Sequence, residues 1–74
     1  MFKVILNCYY NNGQFSNVFE WDEINKYMSA EEYFNTCDKS NLCFDPNESE
    51  YDFYIFEIVD EDNNVLDSFK IDIE

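Results

Sequence analysis

Residues 2–21, FKVILNCYYNNGQFSNVFEW, decide the fold. Residues 2–10 are apolar, β-branched and aromatic, and read as a first strand. Asn11-Asn12-Gly13 follows, a turn signal made of residues that tolerate positive φ. Residues 14–21 then alternate. Phe15, Asn17, Phe19 and Trp21 are expected on one face, and Ser16, Val18 and Glu20 on the other. The pair reads as an antiparallel hairpin.

Downstream, Asp22 opens a mixed segment with room for a short helical turn. The clearest helix start is Ser29-Ala30-Glu31-Glu32. Ser29 can accept from the first free amides, and Glu32 can reach back to the Ser29 amide. Acids in the first turn also suit the helix dipole. The helix is expected to run to about Asp38 with Tyr33, Phe34 and Cys37 as its apolar stripe. A start as early as Asp22 would add Ile24, Tyr27 and Met28 to that stripe.

Residues 39–50 read as a polar loop around Pro46, with Leu42, Cys43 and Phe44 as an anchor. Residues 51–60, YDFYIFEIVD, form a third strand, apolar on both faces at its centre and therefore expected inside the sheet. Glu61 to Asn64 make a turn. Residues 65–73 form a fourth strand. Val65, Phe69, Ile71 and Ile73 are expected on the core side, with Asp67 at its edge, and Leu66, Ser68, Lys70 and Asp72 opposite. The order is ββαββ. The economical architecture is a single α+β domain over residues 1–74: a four-stranded, mainly antiparallel sheet with one helix packed on a face.

Composition bounds the function. Seventeen Asp and Glu stand against four Lys, with no His, for a formal charge of -13. Such charge repels itself in a compact state. Aromatic content of 20 % argues against a disordered acidic tail. No apolar run is long enough to span a membrane, and Met1-Phe2-Lys3 opens no recognisable signal peptide. Cys8, Cys37 and Cys43 are odd in number, which fits a reducing compartment, so the cytoplasm of a host cell is expected.

Catalysis lacks its usual groups. There is no imidazole base, no Arg clamp, and only Gly13 where a phosphate loop needs several glycines. The chain is not expected to be an enzyme or to carry a cofactor. No metal site is expected either. Three Cys without His match no zinc pattern. Asp60, Asp62 and Asn64 open like an EF-hand loop, but Val65 stands where Gly is needed and Ile71 where Glu is needed. A polar hairpin turn is the expected reading there. Direct nucleic-acid binding is excluded by charge, since phosphate contacts need Lys or Arg.

What remains is the carboxylates. They fall in every segment, from Glu20 to Glu74. Duplex DNA carries one negative charge per roughly 1.7 Å of axis. A small rigid protein studded with acids can present similar charge to a basic groove and exclude nucleic acid from it. The candidate phosphate surrogates are Glu20, Asp22, Glu23, Glu31 and Glu32 around the helix start, and Asp60, Glu61 and Asp62 at the last turn. The plain rival is an acidic coat kept for solubility.

The segment Tyr10-Asn11-Asn12-Gly13-Gln14-Phe15, running through Phe19-Glu20-Trp21-Asp22 to Glu31-Glu32-Tyr33-Phe34, resembles the opening of ArdA-type antirestriction proteins. In that family a strand leads into a YN-x-G turn, an aromatic strand and an acidic helix. The family's proteins are longer and multi-domain, and the likeness covers about half of this chain. The resemblance implies an acidic DNA mimic that inhibits restriction–modification enzymes, with surface acids at Glu20, Asp22, Glu31 and Glu32. In size and charge the chain is also similar to phage-encoded anti-CRISPR proteins.

The expectation is therefore an inhibitor of a host defence enzyme, a CRISPR-Cas effector or a restriction enzyme, that occupies a basic nucleic-acid groove. Charge opposes self-association, so a monomer is expected over a homodimer. The alternative is a non-enzymatic interaction module. It would bind through a strand edge or an aromatic patch such as Tyr9, Tyr10 and Tyr54.

Overall fold

The computed structural model describes residues 1–10 and 12–73. Asn11 of the first turn and the acid Glu74 lie outside the described residues. Strand β1 spans Phe2–Tyr10, β2 Phe15–Ile24, β3 Tyr51–Val59 and β4 Val65–Asp72. Helix α1 spans Ala30–Thr36. The strands form one antiparallel sheet in the order β2-β1-β3-β4, so the architecture is α+β with chain order ββαββ. Strands β1 and β3 are central, which accounts for a β3 that is apolar on both faces.

Each hairpin turns on a residue at positive φ. Gly13 sits at φ 79° in the first, where the Tyr10 carbonyl accepts from the Gly13 amide at 2.9 Å. Asn63 sits at φ 66° in the second. There Asp60 Oδ1 accepts from the Asp62 and Asn64 amides, each at 2.9 Å. The Asp60-Asp62-Asn64 motif is thus a hairpin turn whose first carboxylate is turned onto its own backbone.

One face of the sheet carries the core. Val4, Leu6 and Cys8 of β1, Tyr54, Phe56 and Ile58 of β3, and Ile71 and Ile73 are buried there. Phe56 is fully buried, and its ring meets Trp21, Tyr33 and Phe34 at centroid distances of 6.0, 5.9 and 6.0 Å. Edge and tilted packing of this kind adds about 0.5–1.5 kcal/mol per pair to the area buried. Leu42 and Phe44 of the long loop pack against the same core, and the Cys43 carbonyl accepts from the Tyr54 hydroxyl at 3.0 Å.

The helix begins where the capping signal lies. Ser29 is extended, and its hydroxyl accepts from the Glu32 amide at 3.2 Å. The reciprocal bond, from the Ser29 amide to the Glu32 carboxylate, is not made among the described residues. The helix ends at Thr36, two residues before the expected Asp38. Cys37 is already extended, and Asp38 Oδ1 accepts from the Ser40 amide at 2.9 Å to start the next turn. No helical turn forms at Asp22. Strand β2 continues through it because Asp22, Glu23 and Ile24 find partners in Val4, Lys3 and Phe2.

The alternation expected for β2 holds for Asn17, Phe19 and Trp21 on the helix side and fails at Phe15. Two irregularities against β1 leave Trp21 and Ser16 without register partners. Each extra residue moves the following side chains to the other face. Phe15 therefore lies with Tyr9 on the open face, while Asn17 and Phe19 lie with Cys8 and Leu6 on the helix side. In β4 a similar irregularity at Leu66 takes Val65 out of the core, and it is 55 % exposed.

Asp67 faces the helix side because it has a task there. Its Oδ2 accepts from the Ala30 amide at 2.7 Å, satisfying a first-turn donor of α1. Replacing it with Ala (Asp67→Ala) is expected to cost about 1 kcal/mol, the usual worth of such a cap. Urea unfolding checks this, with Leu66→Ala on the exposed neighbour staying near wild type.

Candidate functional site

The antiparallel register sorts the candidate acids by position. The start of β1, the end of β2, the end of β3 and the start of β4 share one end of the sheet. That end carries Asp22 and Glu23 from β2, and Asp60, Glu61 and Asp62 from the β3–β4 turn. The bond from Ala30 to Asp67 brings the helix start, with Glu31 and Glu32, to the same end. Seven of the eight candidates are thus gathered from separate stretches of chain. Glu20 stands further along, opposite Ile5, on the open face.

Two of these acids are engaged by the fold. Asp22 Oδ2 accepts from the Tyr33 hydroxyl at 2.7 Å, and its Oδ1 from the Glu23 amide at 2.8 Å. Asp60 accepts from the Asp62 and Asn64 amides and from the Asn64 side chain. The Asn64 amide is the chief cause that holds the Asp60 carboxyl below the usual range. Glu61 pairs with the Met1 ammonium at 3.1 Å, and Glu20 stands 3.8 Å from Lys3 Nζ. Both pairs are solvent-exposed and are therefore worth little. Glu23, Glu31, Glu32 and Asp62 stand in solvent with no salt-bridge partner among the described residues.

Tyr33 links this end to the core. Burial, then the hydrogen bond to Asp22 and its negative charge, push the phenol well above its ordinary 10. Burial, with a lesser push from Glu50, likewise raises the Cys8 thiol. All three cysteines are free. Among the described residues no group of three or more His, Cys, Asp or Glu is arranged to hold a metal ion, and no helix is long and apolar enough to cross a membrane.

The aromatic patch expected from Tyr9, Tyr10 and Tyr54 does not form. Tyr54 is buried on the helix side, and Tyr10 stacks on Tyr51 at 5.7 Å. The open face instead carries a ladder across all four strands. Phe15 meets Tyr9 edge-on at 5.4 Å, Tyr9 stacks on Phe53 at 4.7 Å, and Lys70 Nζ lies 4.4 Å from the Phe53 centroid. Ile5 and Ile55 stand on the same face, with Asn7 between them in register. Asn7 donates to Glu57 Oε1 at 2.8 Å. The sequence hid this ladder, because a bulge decides that Phe15 joins it.

Comparison with protein-family models, curated proteins and solved structures gives no match to this chain.

The Tyr33 phenol favours its neutral form in the fold, so its stabilisation is complete below pH 10 and is lost as pH rises through the folded value. Tyr33→Phe removes the bond to Asp22 and is expected to cost about 1 kcal/mol at neutral pH. The gap to wild type should narrow above pH 10. Chemical unfolding at several pH values, with the 295 nm phenolate titration, measures both.

Proposed function

We propose that this chain is a non-catalytic inhibitor of a nucleic-acid-handling enzyme of host defence, a CRISPR-Cas effector or a restriction enzyme, which it blocks by occupying a basic groove. The observation that carries this reading is the gathering of Asp22, Glu23, Glu31, Glu32, Asp60, Glu61 and Asp62 at one end of a rigid sheet. Like charges brought together repel, and a fold of 74 residues has little stability in reserve. Their concentration fits a use outside the molecule. The resemblance of the first half to ArdA-type proteins points the same way.

The acids divide the work. Asp22 and Asp60 are oriented by bonds within the fold and give the end a fixed shape. Glu23, Glu31, Glu32 and Asp62 are free to meet Lys and Arg as phosphates would. Attraction over a net charge of -13 speeds the encounter, and a few well-placed contacts hold the complex.

A second reading rests on the open face. The ladder of Phe15, Tyr9 and Phe53 suits a protein-interaction module that binds through an aromatic surface. Salt separates the two, since groove occupancy weakens steeply with ionic strength and an aromatic contact hardly responds.

The test is protection of duplex DNA from a panel of restriction enzymes and Cas effectors. Wild type should protect against at least one, and protection should fade between 50 and 500 mM sodium chloride, on the order of tenfold or more. The quadruple reversal Glu23→Lys, Glu31→Lys, Glu32→Lys, Asp62→Lys should abolish protection while circular dichroism stays unchanged. Equal protection by the folded reversal variant would remove the proposal.

A further inference from the structure

The helix is too short to roof the sheet. Seven residues reach about 10 Å at 1.5 Å per residue, whereas a nine-residue strand runs about 30 Å. Beyond the helix, the loop that carries Asn41 and Leu42 borders the core side of β1 and β2. A cleft of about 370 Å³ opens there, within the roughly 300–1,000 Å³ of small-ligand sites. Its floor is Leu6, Cys8 and Tyr54, all buried, and Phe19 and Trp21 of the β2 edge form one wall. Phe19 is 48 % exposed although it faces the core side. Its ring extends the apolar lining that Trp21 and Leu42 continue.

The cleft runs into a second one of about 430 Å³, with which it shares Asn41, Tyr51 and Tyr54. The ionisable rim of the pair is one-sided. Glu48 and Glu50 stand at the second cleft, while the Glu20 carboxylate turns to Lys3 on the open face. No lysine lines either. The Glu50 charge adds to the burial that raises the Cys8 thiol, so this rim acts on the floor itself. An apolar floor under a purely anionic rim complements one kind of occupant: an apolar side chain with cations beside it. An acidic or neutral apolar segment would fill the floor but strand the carboxylates.

We propose that this trough is a docking site for a partner segment in which a Leu- or Phe-like side chain, seated between Phe19, Trp21 and Leu42, is flanked by Lys or Arg that meet Glu48 and Glu50. It deepens the groove-occupancy reading, on which it rests for the nature of the partner: the wall of a basic groove supplies such segments. The trough gives that docking a specific anchor away from the acidic end of the sheet. Charge at the far end steers, and the seated side chain slows release.

Trp21 is the sole tryptophan and lines the trough, so its emission reports occupancy directly. The probe is a ten-residue peptide with one central Leu between pairs of Lys and Arg, added to the full chain. A saturable shift in Trp21 emission is expected. The same peptide with Ser for Leu should bind at least tenfold more weakly, and one with Glu flanks should not bind. Glu48→Lys with Glu50→Lys should weaken the Leu peptide at least tenfold, and several-fold more than Glu31→Lys with Glu32→Lys, which removes the same charge away from the trough. The wild-type peptide series decides alone if the first variant fails to fold. No shift with the Leu peptide, or equal binding of the Leu and Ser peptides, overturns the trough. Because these readouts involve no nuclease, they fail or succeed independently of the DNA-protection assay.

Discussion

Two carboxylates on opposite edges of the sheet hold the helix in place, and the rest of the structure depends on that clamp. Asp22, Val4, Ile58 and Asp67 form one row across β2, β1, β3 and β4, all on the helix side. The inner two are fully buried aliphatics. The outer two reach up, Asp22 to the Tyr33 hydroxyl and Asp67 to the Ala30 amide. A seven-residue helix is far below the length at which helices are stable alone. This one persists because both edges of the sheet hold it over the Phe56 cluster.

Hydrogen bonds to carboxylates elsewhere help so acidic a chain stay compact. Some of its carboxylates accept hydrogen bonds from the backbone, as Asp60, Asp38 and Asp45 do, and their charge is partly answered by amide dipoles. Many of the others, such as Glu23, Glu31, Glu32 and Asp62, stand in water, where screening softens repulsion. Cations are placed frugally. Lys70 lies over Phe53 and near Asp72, and Lys39 over Phe34. The result is a thin plate, 36 × 23 × 15 Å, with acids at its end, aromatics on its open face and a trough beside its helix. Each of these surfaces offers something different to a partner.

Much of this was legible along the chain. Strand β1 could be read to the residue because seven of its nine side chains are apolar or aromatic and an Asn-Gly turn follows. Ser29 announced the helix because capping is chemistry within four residues. The centrality of β3 followed from Ile55, Phe56 and Ile58 leaving no face polar. The candidate acids were visible as residues, but their division of labour was not. Nothing near Asp22 in sequence says that a tyrosine 11 residues on will donate to it, and Asp67 lies 37 residues from the amide it satisfies.

The sequence by itself therefore determined the elements, their order and the sign of the surface, since these rest on local propensity, turn chemistry and composition. Only the tertiary structure decided which side chains share a face, which acids meet at one end and where the core stays open. The reason is the bulges. An unpartnered residue such as Trp21 or Ser16 exists only relative to the strand beside it, so no reading of β2 alone can locate the point at which its alternation flips. Phe15 and Phe19, four residues apart in the same strand, consequently face opposite sides of the sheet, one in the open ladder and one in the trough.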